Sequence, residues 1–224
     1  MRAIVIPAFN EEATLDEILL SVYDFCDLVV VVNDCSTDAT LEICSRYDYV
    51  QTITNSINRG YEYSVLKGLY HSLKLNASSI LTIDADGQHP IHEIPKLFDF
   101  IENHGYSISI GSRSKLPRIS EYIFSIYSYI FFGVWDITSG FKCYRSSVIS
   151  NNVFPDYPSV GTYFTIKCLL DGFRVKSSYI ITHDRIEGVS RFGLSITAEF
   201  KILVAFFNAI ILHLQRFLLI LRLR

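Results

Sequence analysis

Short apolar runs alternate with amphipathic stretches along most of the chain. The runs are rich in Ile and Val and stop at polar or Pro-containing segments, which is typical of buried strands. The stretches between them repeat apolar residues with helical spacing. Strands are predicted at 3–6, 28–32, 51–54, 80–83, 107–110 and 173–181. Helices are predicted at 10–23, from the polar cluster 33–38 to about 46, and at 61–75, 94–104 and 163–170.

This regular alternation of strands and helices predicts an α/β fold class with a mostly parallel central sheet and helices on both faces. The 224 residues are enough for one such domain with a small appendage. We expect Pro7 to break the first strand and Gly111–Arg113 to form a turn. The carboxyl ends of the strands then gather on one edge, where open α/β sheets bind their ligands.

The segment Ile119–Trp135 is rich in aromatic residues but is interrupted by serines and by Glu121. This mixture favours a helix that lies in a membrane interface over one that spans the membrane. An ordinary amphipathic core helix is the alternative for this segment.

The tail, residues 195–224, is the most apolar part of the chain and is predicted to be a helix distinct from a catalytic domain at 1–194. An apolar arc this wide does not suit a soluble surface helix, and the basic residues of the tail suit an anionic membrane surface. Membrane contact is therefore predicted; a spanning helix, an oligomerisation helix and packing within the chain are the alternatives. Polar residues recur every seven positions and form one narrow stripe: Lys201, Asn208, Gln215 and Arg222.

Composition and missing motifs narrow the function classes. The formal net charge is −3, so nothing indicates the basic face that binds nucleic acid. The five cysteines lack Cys-x-x-Cys spacing, which argues against a zinc site or a disulfide framework. Neither a Gly-x-Gly-x-x-Gly nor a Gly-x-x-x-x-Gly-Lys-Ser/Thr sequence occurs, so a dinucleotide-binding Rossmann domain and a P-loop enzyme have no support.

The predicted strand at 80–83 ends in an acidic turn, Asp84–Pro90. Asp84 and Asp86 place two carboxylates one residue apart at the end of a strand, and Gln88 adds an amide. Hard oxygen ligands of this kind suit Mg²⁺ or Mn²⁺ bound chiefly through phosphates. The alternative is a polar turn that only terminates the strand.

Six segments between residues 3 and 193 carry a resemblance to a known family: Ile6–Glu11, Val31–Asp38, Asp84–Pro90, Gly111–Arg113, Asp136–Arg145 and Arg185–Arg191. They resemble, in this order, the nucleotide-diphosphosugar-binding domain of glycosyltransferase family 2. The similarity is greatest to the polyprenyl-phosphate glycosyltransferases of that family. The resemblance implies the GT-A fold, a Rossmann-like nucleotide-diphosphosugar transferase fold.

The resemblance also implies roles for individual residues. Asp86 and Gln88 would hold a divalent cation, Mg²⁺ or Mn²⁺, and Asp84 would lie near both this metal and the ribose of the donor. The base and ribose of the nucleotide sugar would be bound by Pro7, Phe9, Glu11 and Asp34. The phosphate of a lipid acceptor would be bound by Arg113, Arg185 and Arg191, with Arg118 as a further candidate.

Two positions depart from the pattern of the family, since Asn33 replaces the first of two acids and Phe9 replaces a Tyr. A third feature concerns the acceptor. Many relatives that glycosylate hydroxyls carry an acidic base about nine residues before the glycine matching Gly172, whereas Val160–Leu170 contains no carboxylate. A phosphate monoester is already anionic near neutral pH and needs no base, so this absence favours a phosphate acceptor.

The predicted protein is therefore an inverting, metal-dependent hexosyltransferase that uses a UDP- or GDP-sugar and a polyprenyl phosphate. It would be peripheral or monotopic at the cytoplasmic face of a membrane, with homo-oligomerisation through the tail left open. A transferase that extends a lipid-linked or capsular glycan at a hydroxyl is the alternative within the family. A binding protein without turnover and a nucleotidyltransferase are the alternatives from other classes, and the latter lacks its Gly-rich N-terminal loop.

Overall fold

The computed structural model describes residues 1–150, 160–183 and 196–222, and within them the chain builds a seven-stranded sheet. The strand order is β3-β2-β1-β4-β6-β5-β7, and among these strands β6 alone runs antiparallel to its neighbours. The predicted α/β class with a mostly parallel sheet is therefore confirmed. The strands are β1 (Arg2–Ala8), β2 (Leu28–Asn33), β3 (Val50–Thr54), β4 (Ser79–Thr82), β5 (Ile108–Arg113), β6 (Lys142–Arg145) and β7 (Val175–Ile180).

Helices cover both faces of the sheet, as predicted. Successive side chains of a strand point to opposite faces, so Ile4 and Ile6 enter one core while Ala3 and Val5 enter the other. Burying one such Ile or Val completely stabilises the fold by about 1.5–3 kcal/mol. The first core lies under α1 (Leu15–Val22), α2 (Thr40–Ser45) and α4 (Ile94–Glu102). The second lies under α3 (Tyr61–Lys74), α5 (Ile119–Phe132), α6 (Ser146–Ser150), α7 (Val160–Leu170) and α8 (Ile196–Arg222).

The prediction that Pro7 breaks the first strand is wrong, because β1 continues past Pro7, which pairs in register with Val32. Val5 lies two residues earlier, on the same side of β1, and its carbonyl accepts a hydrogen bond from Ile83 N. The pairing with β4 ends at Thr82, before it reaches Pro7. The missing N–H of the proline therefore leaves no bond of the sheet unmade.

The predicted turn at Gly111–Arg113 is also wrong, since these residues continue β5 and pair with Ser178–Ile180 of β7. A Cβ on Gly111 would lie 2.4 Å from the ring of Phe141. Glycine at this position thus allows close packing inside the sheet and does not mark a turn. As a result, Arg113 is the last residue of a strand and is held at the carboxyl edge.

Other boundaries differ for local reasons. The first helix begins at Leu15 and not at Asn10, because Asn10 has a φ of 55° and forms part of a turn. The helix α5 ends at Phe132, three residues before the predicted end, where Gly133 with a φ of 69° donates to Tyr129 O. The short elements β6 and α6 were not predicted.

The polarity of the two sides of α5 is the reverse of that in an ordinary amphipathic helix. Its inward side packs in the core, as the alternative interpretation of this segment held, but it is rich in small polar residues: Ser120, Ser125 and Ser128. Its outward side is apolar and exposed: Ile119, Tyr122, Ile123, Ile126, Tyr129, Ile130 and Phe131. This outward face is the side expected of an interfacial helix.

The tail forms the predicted helix, α8, and one side of it packs within the chain. Ala205 and Ala209 are buried, His213 Nδ1 lies 2.7 Å from Tyr127 Oη of α5, and Arg216 is paired with Asp171 after α7. The stretch Glu199–Leu218 is long and apolar enough to cross a membrane, and only 11% of it is buried. The opposite side is exposed: Phe200, Phe207, Ile211, Leu214, Phe217 and Leu218.

Candidate active site

Two loops at the carboxyl edge of the sheet are bound to each other by hydrogen bonds between backbone and side chains. Asn10, after β1, donates its N–H to Ser36 Oγ at 2.9 Å and accepts Thr37 N–H on Oδ1 at 2.8 Å. The N–H of Glu11 donates to Thr40 Oγ1 at 2.8 Å. These contacts fix the loop that carries Phe9 and Glu11 against the loop that follows β2.

Asp34 is held by the start of α3. It is 4% exposed, and its carboxylate accepts hydrogen bonds from Gly60 N at 2.7 Å, Arg59 N at 2.9 Å and Asn55 Nδ2 at 2.8 Å. A carboxylate at a helix N-terminus satisfies unpaired N–H groups and is stabilised by the helix dipole. Asp34 therefore fixes the position of α3 relative to β2, in addition to any contact with a nucleotide.

The departure of Asn33 from the family pattern has a local explanation. Asn33 is buried, and its Oδ1 accepts a hydrogen bond from Ser36 N at 3.0 Å. A side chain of this length closes the turn after β2 through an acceptor oxygen, which both Asn and Asp possess. The amide therefore keeps the turn without adding a second negative charge beside Asp34.

Asp84 is the second residue after β4 and is held by two aromatic side chains. Tyr61 Oη donates to Asp84 Oδ1 at 2.7 Å, and His89 Nδ1 accepts Asp84 N–H at 3.2 Å. The ring of His89 stacks on Phe141 at 5.0 Å, which fixes its orientation. Burial and the negative charge of Asp84 raise the pKa of Tyr61 well above its ordinary value, so the phenol stays a donor.

Asp86 and Gln88 lie in the same turn as Asp84, as the sequence predicts. Asp86 is 6% exposed, and its Oδ1 accepts Gln88 N–H at 3.1 Å. The turn is fixed from the other side by Thr14, whose hydroxyl donates to Ala85 O at 2.5 Å. It therefore presents hard oxygen atoms from a rigid backbone.

The donor set of this turn suits a divalent cation that is held partly by its substrate. No group of three or more His, Cys, Asp or Glu side chains that could bind a metal occurs in the described residues. Mg²⁺ is commonly bound through one or two carboxylates, with phosphate and water oxygens as the other ligands. The carboxylates of Asp84 and Asp86 with the amide oxygen of Gln88 fit this pattern.

Arg113, at the end of β5, is held by buried carboxylates. Its Nε and Nη2 donate to Asp136 at 2.9 and 2.8 Å, and Nη2 also lies 3.1 Å from Glu121. Burial works against the charge of Arg113, but Asp136 and Glu121 raise its pKa further above the ordinary value. Arg118 donates from Nη1 to Glu121 at 2.8 Å. The two arginines thus share Glu121 and sit side by side.

Three residues of the site were not recognised as such in the sequence. They are Asp136, which is fully buried under Arg113; Lys142, which is buried at the start of β6; and Tyr61. Asp136 and Lys142 belong to the segment Asp136–Arg145, so the resemblance marked their neighbourhood but gave neither a role. Burial lowers the pKa of Lys142 to about 8, although Glu62, Asp136 and Asp84 oppose this shift.

The remaining predicted residues, Arg185 and Arg191, lie outside the described residues. The chain that leads to them is described as far as His183, whose N–H donates to Gln88 O at 2.9 Å. The segment after β7 therefore starts beside the acidic turn.

A mostly parallel sheet with an acidic Asp-x-Asp turn at the end of its central strand is typical of the GT-A fold. The solved structures agree with this fold: glucosyl-3-phosphoglycerate synthase from Mycobacterium tuberculosis, in complex with Mn²⁺, uridine diphosphate and glucosyl-3-phosphoglycerate, has a TM-score of 0.75 at 14% identity. The similarity covers 93% of this chain and 79% of that one.

The chain belongs to glycosyltransferase family 2, whose profile, Glycosyl transferase family 2, matches residues 3–149. A Methanocaldococcus jannaschii protein without an assigned activity is 30% identical, over 89% of this chain and 88% of its own length. Polyprenol monophosphomannose synthase from Mycolicibacterium smegmatis is 28% identical, over 90% of this chain and 84% of its own length. The protein is thus a glycosyltransferase, and the predicted family and fold are confirmed.

Proposed function

We propose that this glycosyltransferase moves a hexose, with inversion, from a UDP- or GDP-sugar to a polyprenyl phosphate and needs a divalent cation. The observation that carries the proposal is the turn with Asp84, Asp86 and Gln88 beside the two interlocked loops after β1 and β2. The loops offer an aromatic face and acceptors for a nucleoside through Pro7, Phe9 and Glu11. The turn offers oxygen ligands where the diphosphate leaves.

Mg²⁺ or Mn²⁺ would be held by Asp86 and Gln88, with Asp84 on the nucleotide side. Such an ion supplies positive charge that offsets the charge developing on the departing diphosphate. The protein itself orients this set, because Tyr61 and His89 fix Asp84 and Thr14 fixes the backbone of the turn. The M. tuberculosis relative in fold, described in complex with Mn²⁺ and uridine diphosphate, supports this choice of ion and ligand.

The acceptor side favours a phosphate over a hydroxyl. Helix α7 contains no carboxylate, so this part of the chain offers no general base. A phosphate monoester, whose second pKa is about 6, attacks as an anion without one. Arg113 would bind this phosphate together with Arg185 and Arg191, and Asp136 holds the Arg113 guanidinium in one orientation. The name of the M. smegmatis relative points to the same class of acceptor.

A lipid acceptor places the enzyme at a membrane surface, and α5 with α8 provides the face for it. The outward sides of both helices are apolar, and they adjoin because Tyr127 of α5 contacts Phe206 and His213 of α8. Since α8 packs on the domain through Ala205 and Ala209, it would lie on the membrane and not cross it. The five free thiols suit the reducing cytoplasmic side.

The experiment is a transfer assay with labelled UDP-glucose, UDP-N-acetylglucosamine and GDP-mannose in the presence of Mn²⁺. Each donor is offered undecaprenyl phosphate, dolichyl phosphate or a soluble glycan. We expect label to enter the organic phase with one lipid phosphate. Label in the glycan alone would replace this proposal with transfer to a hydroxyl. Absence of any donor binding in a thermal-shift assay would overturn nucleotide-sugar use altogether.

A further inference from the structure

A buried lysine lies next to the acidic turn, and the mechanism above does not use it. Lys142 is 3% exposed and is the first residue of β6, where it pairs with Thr82 of β4 and Ile110 of β5. Because β6 is antiparallel, its first residue lies at the carboxyl edge of β4, close to Asp84. Lys142 thus belongs to the edge that carries the site.

The ammonium of Lys142 lies apart from the carboxylates around it. In the described ranges it makes no hydrogen bond and no ion pair within 4.0 Å. The carboxylates of Glu62, Asp84 and Asp136 act on it from farther away. Because this ammonium meets no acceptor in the described residues, its N–H groups remain available to a ligand that binds beside Asp84.

One glycine lies next to this ammonium, and another lies against Asp84. A Cβ on Gly161, at the start of α7, would lie 3.8 Å from Lys142 Nζ and 3.7 Å from Tyr144 Oη. A Cβ on Gly140 would lie 2.9 Å from Asp84 Oδ1. The N–H of Gly161 donates to Glu62 Oε2 at 3.3 Å, so a carboxylate borders the same place. The ammonium, a phenol and a carboxylate therefore meet between β6, α3 and α7.

The chemistry of this set selects the ligand. An ammonium only donates hydrogen bonds, and an ionised carboxylate only accepts them. Three nearby carboxylates disfavour a phosphate here, and the ammonium disfavours a second metal ion. Sugar hydroxyls carry no charge and both donate and accept, so adjacent hydroxyls can use the ammonium and the carboxylate together.

We propose that Lys142, together with Glu62, binds hydroxyl groups of the sugar that the donor carries. This inference rests on the proposed use of a nucleotide sugar. It assigns the sugar to a place on the β6 side of Asp84, away from the loops after β1 and β2 that would contact the nucleoside. Lys142 therefore determines sugar binding without contributing to nucleotide binding.

The test uses calorimetry in the presence of Mn²⁺ to compare the binding of a sugar nucleotide with the binding of the same nucleoside diphosphate without its sugar. The dissociation constants of the wild type and of Lys142→Met are measured for UDP-glucose and UDP, and for GDP-mannose and GDP. We consider the sugar nucleotide and nucleoside diphosphate that the wild type binds. For the sugar nucleotide, we expect Lys142→Met to raise the dissociation constant by at least about tenfold, as for a lost hydrogen bond to a charged group. Binding of the bare nucleoside diphosphate should stay within about twofold of the wild type.

Two further variants complete the test. Gly161→Ala adds a methyl group at ordinary contact distance from Lys142 Nζ, so the variant should fold. It should also weaken the binding of the sugar nucleotide and leave the binding of the bare nucleoside diphosphate unchanged. Lys176→Met removes an exposed lysine of β7 and should change neither constant. Equal weakening of both ligands in Lys142→Met, or no change in either, would overturn the inference. A wild type that binds none of the four nucleotides overturns the proposed function itself, and the inference with it.

Discussion

Tyr61, the first residue of α3, donates a 2.7 Å hydrogen bond to Oδ1 of Asp84, the second residue after β4. This bond couples the orientation of the acidic turn to the start of a helix on one face of the sheet. A Cβ on Gly140 would lie 2.6 Å from the same phenol, so the contact is enclosed. The precise placement of Asp84 therefore depends on a residue far away in the sequence.

Removing this phenol should impair transfer without unfolding the protein. In Tyr61→Phe, Asp84 loses a donor to a charged group, which contributes roughly 1.5–3 kcal/mol, so we expect kcat to fall by about tenfold or more. The measurement is steady-state transfer together with the melting temperature. Tyr179→Phe, at an exposed phenol of β7, is the matched control and should be silent. A wild-type rate in Tyr61→Phe would show that Asp84 needs no such support.

Replacing the proposed metal ligand Asp86 should abolish transfer and leave the fold intact. In Asp86→Ala the turn loses a carboxylate that would bind the cation, so we expect activity below about 1% of the wild type. Mn²⁺ with a nucleoside diphosphate should stabilise the wild type, by about 2.7 kcal/mol at 100 times the dissociation constant, but not the variant. Asp24→Ala, at an exposed position after α1, serves as control. Full activity in Asp86→Ala or in excess chelator would contradict metal dependence.

Breaking the pair between Arg113 and Asp136 should cost stability as well as activity. Arg113→Ala leaves the fully buried Asp136 without its counter-charge, and we expect the free energy of unfolding to fall by about 3–5 kcal/mol. Arg113→Lys keeps the charge but loses the bidentate contact with Asp136. It should therefore lose less stability than Arg113→Ala and still be impaired in transfer. Urea unfolding checks the first expectation.

The control for this pair is Arg46→Ala, which removes an exposed ion pair with Glu42. Exposed pairs contribute little, so its unfolding curve should nearly match the wild type. Equal effects of Arg46→Ala and Arg113→Ala would mean that burial of the Arg113 pair has no consequence.

The buried Lys142 should give stability an unusual dependence on pH. Its pKa is about 8 in the folded chain against an ordinary 10.5, so between these values the unfolded chain holds a proton that the folded chain has released. The free energy of unfolding of the wild type should therefore rise with pH relative to Lys142→Met. The advantage of the variant in the free energy of unfolding should therefore be largest at pH 7 and should shrink as the pH rises towards 10. The charged and titratable groups that face Lys142 are Glu62, Asp84, Arg113, Asp136 and Tyr144.

Urea titrations of both proteins at pH 7, 9 and 10 measure this difference. The comparison isolates Lys142, since all other titratable groups are present in both proteins. A difference that stays constant across the three pH values would show that Lys142 is not neutralised by burial.

The apolar face of α5 and α8 should control binding to vesicles. Phe207→Ser combined with Phe131→Ser removes one exposed ring from each helix, and burying each ring in lipid is worth about 1.5–3 kcal/mol. We therefore expect at least about a tenfold loss of co-sedimentation with anionic vesicles. Leu41→Ser, exposed on α2 at the other face of the sheet, is the control. Unchanged co-sedimentation, with dimers in sedimentation velocity that the double variant loses, would assign this face to oligomerisation.

The strands that could be predicted from the sequence are those whose own residues are apolar enough to indicate burial. Runs of Ile and Val such as Val29–Val32 indicate a strand, and the acids after them indicate the edge where ligands bind. By contrast, β6 has only four residues, two of them basic, and it becomes a strand because β4 and β5 lie on either side of it. Non-local pairing of this kind leaves no periodic pattern in a short segment.

The residues of the candidate site likewise fall into those that the sequence reveals and those that only the fold brings together. Asp84, Asp86 and Gln88 are close in sequence and so are found together. Lys142 and Asp136 come into the site only through the antiparallel course of β6 and the turn before it. The pairing of Arg113 with Asp136 and the capping of α3 by Asp34 depend on contacts across 23 and 26 residues of chain, which spacing alone does not reveal.

The reversed direction of β6 separates two tasks along the chain. The loops that would contact the base come from the first 40 residues, whereas Lys142 arrives with a later segment that enters the sheet from the opposite end. An exchange of the segment Asp136–Lys142 between relatives would then alter which monosaccharide is accepted while leaving the choice of UDP or GDP untouched. Donor preference in this scaffold would be modular, and open to change by grafting one short stretch.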